Sequence, residues 1–354
     1  MGFMPLSSRH HQKNMDTKTF SARKKLFFYT LLSCLSLIVP LLISELGLRL
    51  IYREEEADGN YWGIGAFSAH ELTGYVHAPG FEGYAFRRDA FESFVKINSL
   101  SLRQSDVEQQ LRYPLQILVL GDSFPFGLGV QENQSFPSLI KKDLNALGVG
   151  IINGAQTGYA VEQEKLFGTS LIDTLKPNIV ILGLFTHNDI FGDYYKGYHN
   201  IDVSFGYRLR KDRWLQLQPV DFLRTHSYVW MVVQNRLNAG KKRVRKKNFK
   251  VLTETSLQEI MRPTLNAIGA LRDYCETNSI VFGVMMIPAK SGTTVFDDPV
   301  KDFLQKQDIS VLDLTTKGYG DQDYLTGDGH WNKKGHEKTS KFLVPFIAAL
   351  LEEH

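Results

Sequence analysis

The sequence predicts an α/β domain with a parallel sheet, preceded by an N-terminal membrane helix. Three observations support this prediction. Five short segments are apolar on both faces, and helical stretches alternate with them. Strands of this kind are buried on both sides, as in a parallel sheet that helices cover on each face. Residues 26–44 form a run of 19 residues without a charge, which is long enough to cross a bilayer as a helix.

The composition excludes several classes of protein. The chain has 354 residues, of which 43% are hydrophobic and 22% charged, unlike a disordered, collagen-like or multi-span membrane protein. The net charge of +3 is too small for nucleic acid to be the main partner. The two cysteines, Cys34 and Cys275, exclude a disulfide framework and a CxxC-type zinc site.

The N-terminal residues predict a single membrane anchor. Residues 1–25 hold six basic side chains and one acidic side chain. A helix over 26–44 spans about 28 Å, close to the thickness of the hydrocarbon core, and an amphipathic extension to Tyr52 suits the interface. The positive-inside rule places residues 1–25 in the cytoplasm and the chain after Tyr52 outside. We therefore expect a single-pass protein of a bacterial inner membrane, held through residues 26–52.

A cleaved signal peptide is the alternative interpretation of the same segment. Such a peptide has an apolar core of roughly 7–15 residues followed by a small-residue cleavage site. The apolar run here is longer, and no A-x-A site follows it. The sequence Leu-Leu-Ser-Cys34 resembles a lipobox, but ten largely apolar residues follow Cys34. These features favour an anchor that is not cleaved.

The chain divides into four predicted segments: a cytoplasmic basic tail (1–25), the anchor (26–52), an extracytoplasmic lead-in (53–115) and an α/β domain (116–354). In the lead-in, residues 94–98 alternate as a strand does. The predicted strands of the α/β domain are 116–120, 149–153, 178–185, 279–287 and 309–314. The predicted helices are 134–147, 160–175, 254–277 and 297–306.

An insertion of about 190–253 separates the third and fourth strands, and two features mark it. It is rich in aromatic residues, which form either a small packed lid or a wall of the substrate site. A basic run from Lys241 to Lys250 carries seven positive charges. This run is either a solvated loop or helix, or a contact for anionic lipid headgroups or an acidic polymer. We expect no nucleic acid there, because the segment lies outside the membrane.

Three polar groups follow the predicted carboxyl ends of strands, where an open parallel sheet binds ligands. Ser123 follows the first strand, and the next helix can offer backbone N–H groups. Gly158 follows the second strand and lets the backbone approach a ligand closely. Asn188 follows the third strand, and its amide can donate to a developing oxyanion. Taken singly, a Gly-Asp-Ser triplet is common by chance, the Gly158 segment is better explained as a simple turn, and Asn-Asp is more often a helix cap.

A fourth group follows the fifth strand and contains Asp328 and His330. A carboxylate two residues from a histidine can hold the imidazole in one tautomer, so that it serves as a general base. Asp321 and Asp323 are the other acids close enough in sequence to serve His330. A metal site of Asp328, His330 and His336 is the alternative, but no further ligands are evident, and we expect neither a metal nor a cofactor.

Together and in this order, the four groups resemble the blocks of the SGNH (GDSL-type) hydrolase superfamily. The resemblance covers about residues 116–340. Gly121-Asp-Ser123 matches the first block, Gly158 the second, Asn188-Asp189 the third and Asp328 with His330 the last. The stretch 97–103 also looks like the lead-in of membrane-anchored bacterial members, some of which handle O-acyl groups on envelope polysaccharides.

The resemblance implies a fold, a mechanism and a set of roles. The fold is a three-layer sandwich with a five-stranded parallel sheet in the flavodoxin-like order 2-1-3-4-5. Ser123 is the implied nucleophile, His330 its base, and Asp328 the acid that orients His330. The backbone N–H groups of Ser123 and Gly158 and the side chain of Asn188 form the implied oxyanion hole.

The implied substrate is an ester or an acylated glycan, and the acyl group passes through an acyl-enzyme to water or to a sugar hydroxyl. The non-enzyme alternative is an inactive module of the same fold that binds carbohydrate or serves assembly at the membrane. The presence of all four blocks argues against this alternative.

The sequence departs from the family pattern at three positions. Thr186 stands where the third block usually has glycine. The last block reads Asp-x-His rather than Asp-x-x-His, with Gly327 three residues before His330. Some membrane-linked acyl-handling relatives use Asp-x-His. Pro125 lies in the first turn after Ser123, where proline is tolerated.

Overall fold

The computed structural model describes residues 22–51, 62, 65–87, 90–195, 201–204, 207–210, 227–230, 232–233 and 254–352. The chain divides at Leu50 into two compact units, which are described separately.

The first unit contains helix α1 (Ala22–Ile51), which is 30 residues long and includes Pro40. Its Ala22–Leu50 stretch has a mean hydropathy of 2.4 and is long enough to cross a membrane, a property that signal sequences share. Its apolar side chains are exposed along the whole helix. Near its end, Arg49 pairs with Glu45 at 2.9 Å. The predicted apolar helix is therefore present, while its membrane insertion and orientation remain predictions.

The second unit contains all the described strands. In chain order these are β1 (Phe67–His70), β2 (Gly74–His77), β3 (Glu82–Arg87), β4 (Phe91–Lys96), β5 (Leu115–Gly121), β6 (Val149–Asn153), β7 (Ile179–Leu184), β8 (Ile201–Ser204), β9 (Tyr207–Arg210), β10 (Val281–Met286) and β11 (Ser310–Asp313). Its described helices are α2 (Val107–Gln110), α3 (Ser123–Phe126), α4 (Phe136–Asn145), α5 (Val161–Leu175), α6 (Thr186–Tyr195), α7 (Glu254–Thr277), α8 (Asp297–Lys306) and α9 (Lys333–Glu352).

Five of these strands form one parallel sheet in the order β11-β10-β7-β5-β6. Counted along the chain, this is the order 2-1-3-4-5, so the predicted flavodoxin-like sheet is confirmed. Each of its strands lies within three residues of its predicted bounds. In the lead-in, the sequence predicts a strand at 94–98. The observed strand is β4, which begins earlier, at Phe91, because it pairs with β3 along its whole length.

Apolar side chains of β5 alternate between the two faces of the sheet, which explains why the strand is apolar throughout. Leu118 and Leu120 enter one core, which contains residues of α5 and α7, and Ile117 and Val119 enter the other, which contains residues of α4 and α9. Burial of each such side chain stabilises the fold by about 1.5–3 kcal/mol. The two cores confirm the predicted three-layer sandwich.

The lead-in packs as part of the second unit. It forms two antiparallel hairpins, β1–β2 and β3–β4. Tyr75, Ala85 and Val95 are fully buried and belong to the same core as Leu118. The compact unit therefore begins before the α/β domain predicted at 116, and the hairpins reach the carboxyl edge of the sheet.

Arg103 joins the lead-in to the turn after β5. Its guanidinium donates to the carbonyl oxygens of Gly127 at 2.6 Å, Val130 at 2.8 Å and Phe94 at 3.0 Å. Burial lowers the pKa of Arg103 to about 10, which leaves it charged at neutral pH. A buried charge of this kind is tolerated only where hydrogen bonds compensate it, as these carbonyl groups do.

The insertion is described only in part. It includes α6 beyond residue 190, the β8–β9 hairpin and a short stretch around Tyr228, which is buried. Phe191 packs on Phe296 at 5.3 Å between ring centroids, as a residue of a packed lid would. The basic run from Lys241 to Lys250 lies outside the described residues, as do Tyr198, Phe205, Trp214 and Phe222.

Candidate active site

The turn after β5 holds Ser123 at the start of α3. Gly121 has a φ of +143°, and a Cβ there would lie 2.6 Å from Cγ of Pro125 and 2.9 Å from the carbonyl oxygen of Gly183. Only glycine fits this position. Asp122 caps the short helix by accepting from the backbone N–H of Phe124 at 3.1 Å. The tight turn thus places Ser123 at the carboxyl end of β5, between β7 and β6 in the sheet.

Ser123, His330 and Asp328 form one chain of hydrogen bonds. The hydroxyl oxygen of Ser123 lies 2.7 Å from Nε2 of His330. Nδ1 of His330 lies 2.5 Å from Oδ1 of Asp328, which also accepts from the backbone N–H of His330 at 2.8 Å. The three residues come from the two ends of the domain, and the structure brings their side chains within hydrogen-bond distance of one another. With a proton on Nδ1, Nε2 is free to accept the proton of Ser123.

Asp328 is held as a carboxylate. Its side chain is fully buried, which by itself would raise its pKa, but the hydrogen bonds and charge of His330 outweigh burial and lower the pKa. Arg87 contributes further, because its Nη1 pairs with Oδ2 of Asp328. Both carboxylate oxygens therefore have cationic or N–H partners, which is the state that can stabilise an imidazolium.

Gly158 lies in the loop after β6, with a φ of +73°. This loop is held against the turn of Ser123, because Gln156 donates its backbone N–H to the carbonyl oxygen of Gly121 at 3.1 Å. Strand β2 holds the loop from its other side. Tyr75 donates its hydroxyl to the carbonyl oxygen of Thr157 at 2.9 Å, and His77 donates its backbone N–H to Oε1 of Gln156 at 2.8 Å.

Asn188 lies in the first turn of α6 and is exposed. Its Nδ2 donates to Oδ2 of Asp122 at 3.0 Å, and the same carboxylate oxygen lies 3.4 Å from the hydroxyl of Ser123. Asp122 thus connects the amide of Asn188 to the turn of Ser123. Complete burial raises the pKa of Asp122, although its hydrogen bonds from Asn188 and Phe124 oppose this. An amide has two N–H groups, so Asn188 can donate to Asp122 and to a ligand together.

Thr186, the departure from glycine in the third block, binds a buried acid. Its hydroxyl donates to Oδ1 of Asp297 at 2.5 Å. Asp297 also accepts from the hydroxyl of Thr294 at 2.8 Å and from its backbone N–H at 2.7 Å. The threonine therefore connects the start of α6 to the loop after β10. Asp297 carries no signal in the sequence that would single it out, because its partners are distant along the chain.

The alternative acids and the alternative metal site do not form around His330. Asp323 accepts from the backbone N–H of Gly320 at 3.0 Å and pairs with Lys338 at 3.2 Å, and Asp321 is exposed. His336 is buried and accepts from the backbone N–H of Phe136 at 3.2 Å. Burial lowers its pKa to about 3. Among the residues that the structure describes, no three His, Cys, Asp or Glu side chains are arranged to hold a metal.

An aromatic cluster packs against one side of His330 through Phe124. The ring of Phe124 lies 5.3 Å from that of His330, 4.7 Å from that of Phe185 and 4.9 Å from that of Trp331, measured between centroids. An apolar wall of this kind excludes water and strengthens the electrostatic interactions of the groups that it encloses.

Two cations beside Asp328 were not predicted. Arg87 comes from the lead-in, and Lys290 from the loop after β10, where its ammonium donates to the carbonyl oxygens of Leu325 at 3.2 Å and Asp328 at 3.4 Å. Neither residue belongs to a motif. A basic residue at the end of a short lead-in strand gives no sign of its partner.

The five-stranded order agrees with the resemblance to SGNH (GDSL-type) hydrolases. The sequence matches no family model and no curated protein. Among solved structures, TesA is 13% identical, with 66% of this chain and 99% of TesA covered and a TM-score of 0.41. The esterase EstA from Pseudoalteromonas sp. is 13% identical, with 67% and 98% covered and a TM-score of 0.40. A GDSL-like lipase from Bacteroides thetaiotaomicron is 9% identical, with 70% and 97% covered and a TM-score of 0.38.

Proposed function

We propose that this chain is a membrane-anchored serine ester hydrolase or O-acyltransferase that works through an acyl-enzyme. One observation carries the proposal: the hydroxyl of Ser123 lies 2.7 Å from Nε2 of His330, whose Nδ1 lies 2.5 Å from a buried carboxylate. This is the arrangement in which a serine loses its proton to a base that a third group orients. Ser123, His330 and Asp328 are the proposed catalytic residues.

In the proposed reaction, Oγ of Ser123 attacks the ester carbonyl carbon while its proton moves to Nε2 of His330. The carbonyl oxygen becomes an oxyanion, and the backbone N–H groups of Ser123 and Gly158 and the amide of Asn188 donate to it. Each such donor typically lowers the barrier by about 3–4 kcal/mol. The bond to the leaving alcohol then breaks, and the proton on Nε2 passes to the alcohol oxygen.

The acyl group on Ser123 leaves by the reverse sequence. His330 takes a proton from an incoming hydroxyl, which attacks the acyl carbonyl, and then returns that proton to Oγ of Ser123. The attacking hydroxyl belongs to water in a hydrolase and to a sugar in a transferase. We propose an acylated envelope glycan as the substrate, because the catalytic unit follows a predicted anchor and would lie outside the cytoplasmic membrane.

An inactive module that binds carbohydrate or serves assembly at the membrane is the second candidate. The short contact between Ser123 and His330 disfavours it, because a module without chemistry has no need to hold a hydroxyl against an imidazole. The buried Asp328 also disfavours it, since a buried carboxylate costs stability unless its partners compensate.

A fluorophosphonate probe separates the two candidates. We expect the full chain in detergent to be labelled at Ser123 and to hydrolyse p-nitrophenyl acetate, and Ser123→Ala to lose both properties while it keeps its melting temperature. Ser36→Ala is the matched control, because Ser36 lies in α1 and its hydroxyl donates to the carbonyl oxygen of Ser33 in the same helix at 2.8 Å. Unchanged turnover in Ser123→Ala would exclude Ser123 as the nucleophile.

The proposed topology has its own test. The basic tail stays in the cytoplasm and residues 53–354 lie outside, so protease added to spheroplasts should digest the catalytic unit. Protection in intact spheroplasts followed by digestion after lysis would reverse the orientation. If the mature protein began after residue 52, the N-terminal segment would be a cleaved signal sequence and not an anchor.

The basic run from Lys241 to Lys250 is proposed as a contact for anionic lipid or an acidic polymer. Each basic residue near an anionic surface contributes about 1 kcal/mol, and salt weakens the attraction. Neutralising six of these residues should weaken binding of the protein to anionic vesicles at low salt: Lys241, Lys242, Arg243, Arg245, Lys246 and Lys247. Equal binding by the wild type and the neutralised variant would mean that the basic run is a solvated segment and not a contact for an anionic partner.

A further inference from the structure

We infer that Arg87 is a positioning residue of the proposed reaction, which holds Asp328 in place and brings a positive charge to the far side of the Asp328–His330 pair. Its Nη1 pairs with Oδ2 of Asp328, while Oδ1 of the same carboxylate accepts from His330. The inference rests on the proposed function, since it concerns the acid that orients the proposed base.

The two oxygens of the Asp328 carboxylate have different partners, His330 on Oδ1 and Arg87 on Oδ2. Oδ1 of Asp328 accepts both the ring N–H and the backbone N–H of His330, at 2.5 and 2.8 Å. Arg87 approaches the other oxygen from the end of β3, in the lead-in. With both oxygens held, the carboxylate cannot rotate away from the ring without losing an ion pair. Arg87 thereby fixes the ring of His330 toward Ser123.

Burial makes this ion pair more effective than an ordinary surface pair. The side chain of Asp328 is 0% exposed, whereas that of Arg87 is 46% exposed. A charge pair that is shielded from water on one side is screened less than a fully exposed pair. Because Arg87 remains half exposed, its replacement leaves no cavity in the core, and a variant at this position should fold.

The charge of Arg87 also acts on His330. Asp328 stabilises the imidazolium that forms in the transition state, and a positive charge on the far oxygen of Asp328 opposes that stabilisation. Other charged or titratable groups contribute to the field at His330 as well. From the elements around it these groups are Asp122 at the turn of Ser123, Asp328 itself, Lys290 after β10 and His336 on α9. All of these groups are present in Arg87→Gln as in the wild type, and comparison with Arg87→Lys separates the charge of Arg87 from the shape of its side chain.

The test compares three variants of the full chain in detergent. Arg87→Gln removes the charge, Arg87→Lys keeps it, and Lys96→Gln removes a charge from the same hairpin, where Lys96 pairs with Glu82 at 2.5 Å. In Arg87→Gln we expect kcat for p-nitrophenyl acetate to fall about tenfold with little change in KM, because a misplaced base slows the chemical step. The acid limb of its kcat profile should move up by about one pH unit, since a like charge near the imidazole is lost.

Arg87→Lys should keep the acid limb of the wild type, and Lys96→Gln should match the wild type in kcat and in the acid limb. An acid limb that stays in place in Arg87→Gln, or that moves equally in Lys96→Gln, would overturn the inference. If Arg87 only stabilised the fold, Arg87→Gln would have a lower melting temperature, but the acid limb of its kcat profile would stay where it is in the wild type.

A titration of His330 by histidine NMR keeps this test separate from the proposed function. If the wild type is neither labelled by fluorophosphonate nor active, the proposed function fails. The pKa of His330 in the wild type and in Arg87→Gln then still shows whether Arg87 acts on the imidazole. A higher pKa in the variant supports the inference, and an unchanged pKa overturns it.

Discussion

The carboxyl edge of the sheet and the lead-in contribute to the candidate site in different ways. The edge supplies the groups that would react or bind the oxyanion: Ser123, Gly158, Asn188 and His330, each in the segment that follows a strand of the sheet. The lead-in supplies groups that hold these in place, namely Tyr75, His77, Arg87 and Arg103. The first set lies in four short motifs after strands, whereas the second set is scattered along the two hairpins and the stretch that follows them.

This difference has a physical origin. A reacting group must lie at one point of the fold, and parallel strands bring such points together because their carboxyl ends meet at the same edge. A supporting group can approach from any direction and needs only a donor at the right distance. Replacing a group at the edge should therefore abolish turnover, and replacing a supporting group should reduce it gradually.

The largest expected effect at the edge, apart from loss of Ser123 or of the base His330, is that of Asp328→Asn, which should be smaller than that of His330→Ala. The change keeps the shape of the side chain and removes its charge, so kcat should fall by about 10³–10⁴ with KM little changed. Steady-state kinetics with p-nitrophenyl acetate measure both constants.

Asp323→Asn and Asp321→Asn are the matched controls for Asp328→Asn. Asp323 pairs with Lys338 and Asp321 is exposed, so both variants should stay near wild-type activity. An active Asp328→Asn together with an inactive Asp323→Asn would mean that the acid is assigned wrongly.

The next effect in size is expected for Asn188→Ala. Loss of one oxyanion donor typically lowers kcat by about 10²–10³. The control is Asn278→Ala, because Nδ2 of Asn278 donates to the carbonyl oxygen of Tyr274 at 2.8 Å, near the opposite end of β10. Equal kcat values for Asn188→Ala and Asn278→Ala would remove Asn188 from the oxyanion hole.

The smallest effect is expected in the lead-in, for Tyr75→Phe. The change removes the hydroxyl that donates to Thr157 at 2.9 Å, beside Gly158. We expect a loss of about 1 kcal/mol in the free energy of unfolding. We also expect kcat to fall a few-fold, because the Gly158 loop is held less tightly.

Tyr319→Phe is the control for Tyr75→Phe, since its hydroxyl lies 2.8 Å from that of Thr339, away from the Gly158 loop. It should lower stability comparably and leave kcat unchanged. If kcat fell as much in Tyr319→Phe as in Tyr75→Phe for the same loss in the free energy of unfolding, the contact of Tyr75 would support the fold in general and not the Gly158 loop in particular.

The fold was predictable because its signals are local. Each strand of the sheet is an apolar run, and Leu118 and Val119 are both buried because helices cover both faces. The positions of Ser123 and Asn188 follow from the same reasoning, since each comes within a few residues of a strand end, and His330 lies in the longer segment after the last strand. The resemblance to the SGNH superfamily joined these separate signals into one site and supplied their roles.

The supporting contacts came only from the tertiary structure. Arg87 and Asp328 are 241 residues apart, Thr186 and Asp297 are 111 apart, and Tyr75 and Thr157 are 82 apart. Periodicity and capping signals act over a few residues and carry no information on such pairs. The sequence by itself determined the sheet, the apolar helix and the order of the reacting groups. Only packing determined which arginine faces Asp328 and which acid faces Thr186, because side chains so distant along the chain meet only after the hairpins and the sheet share one core.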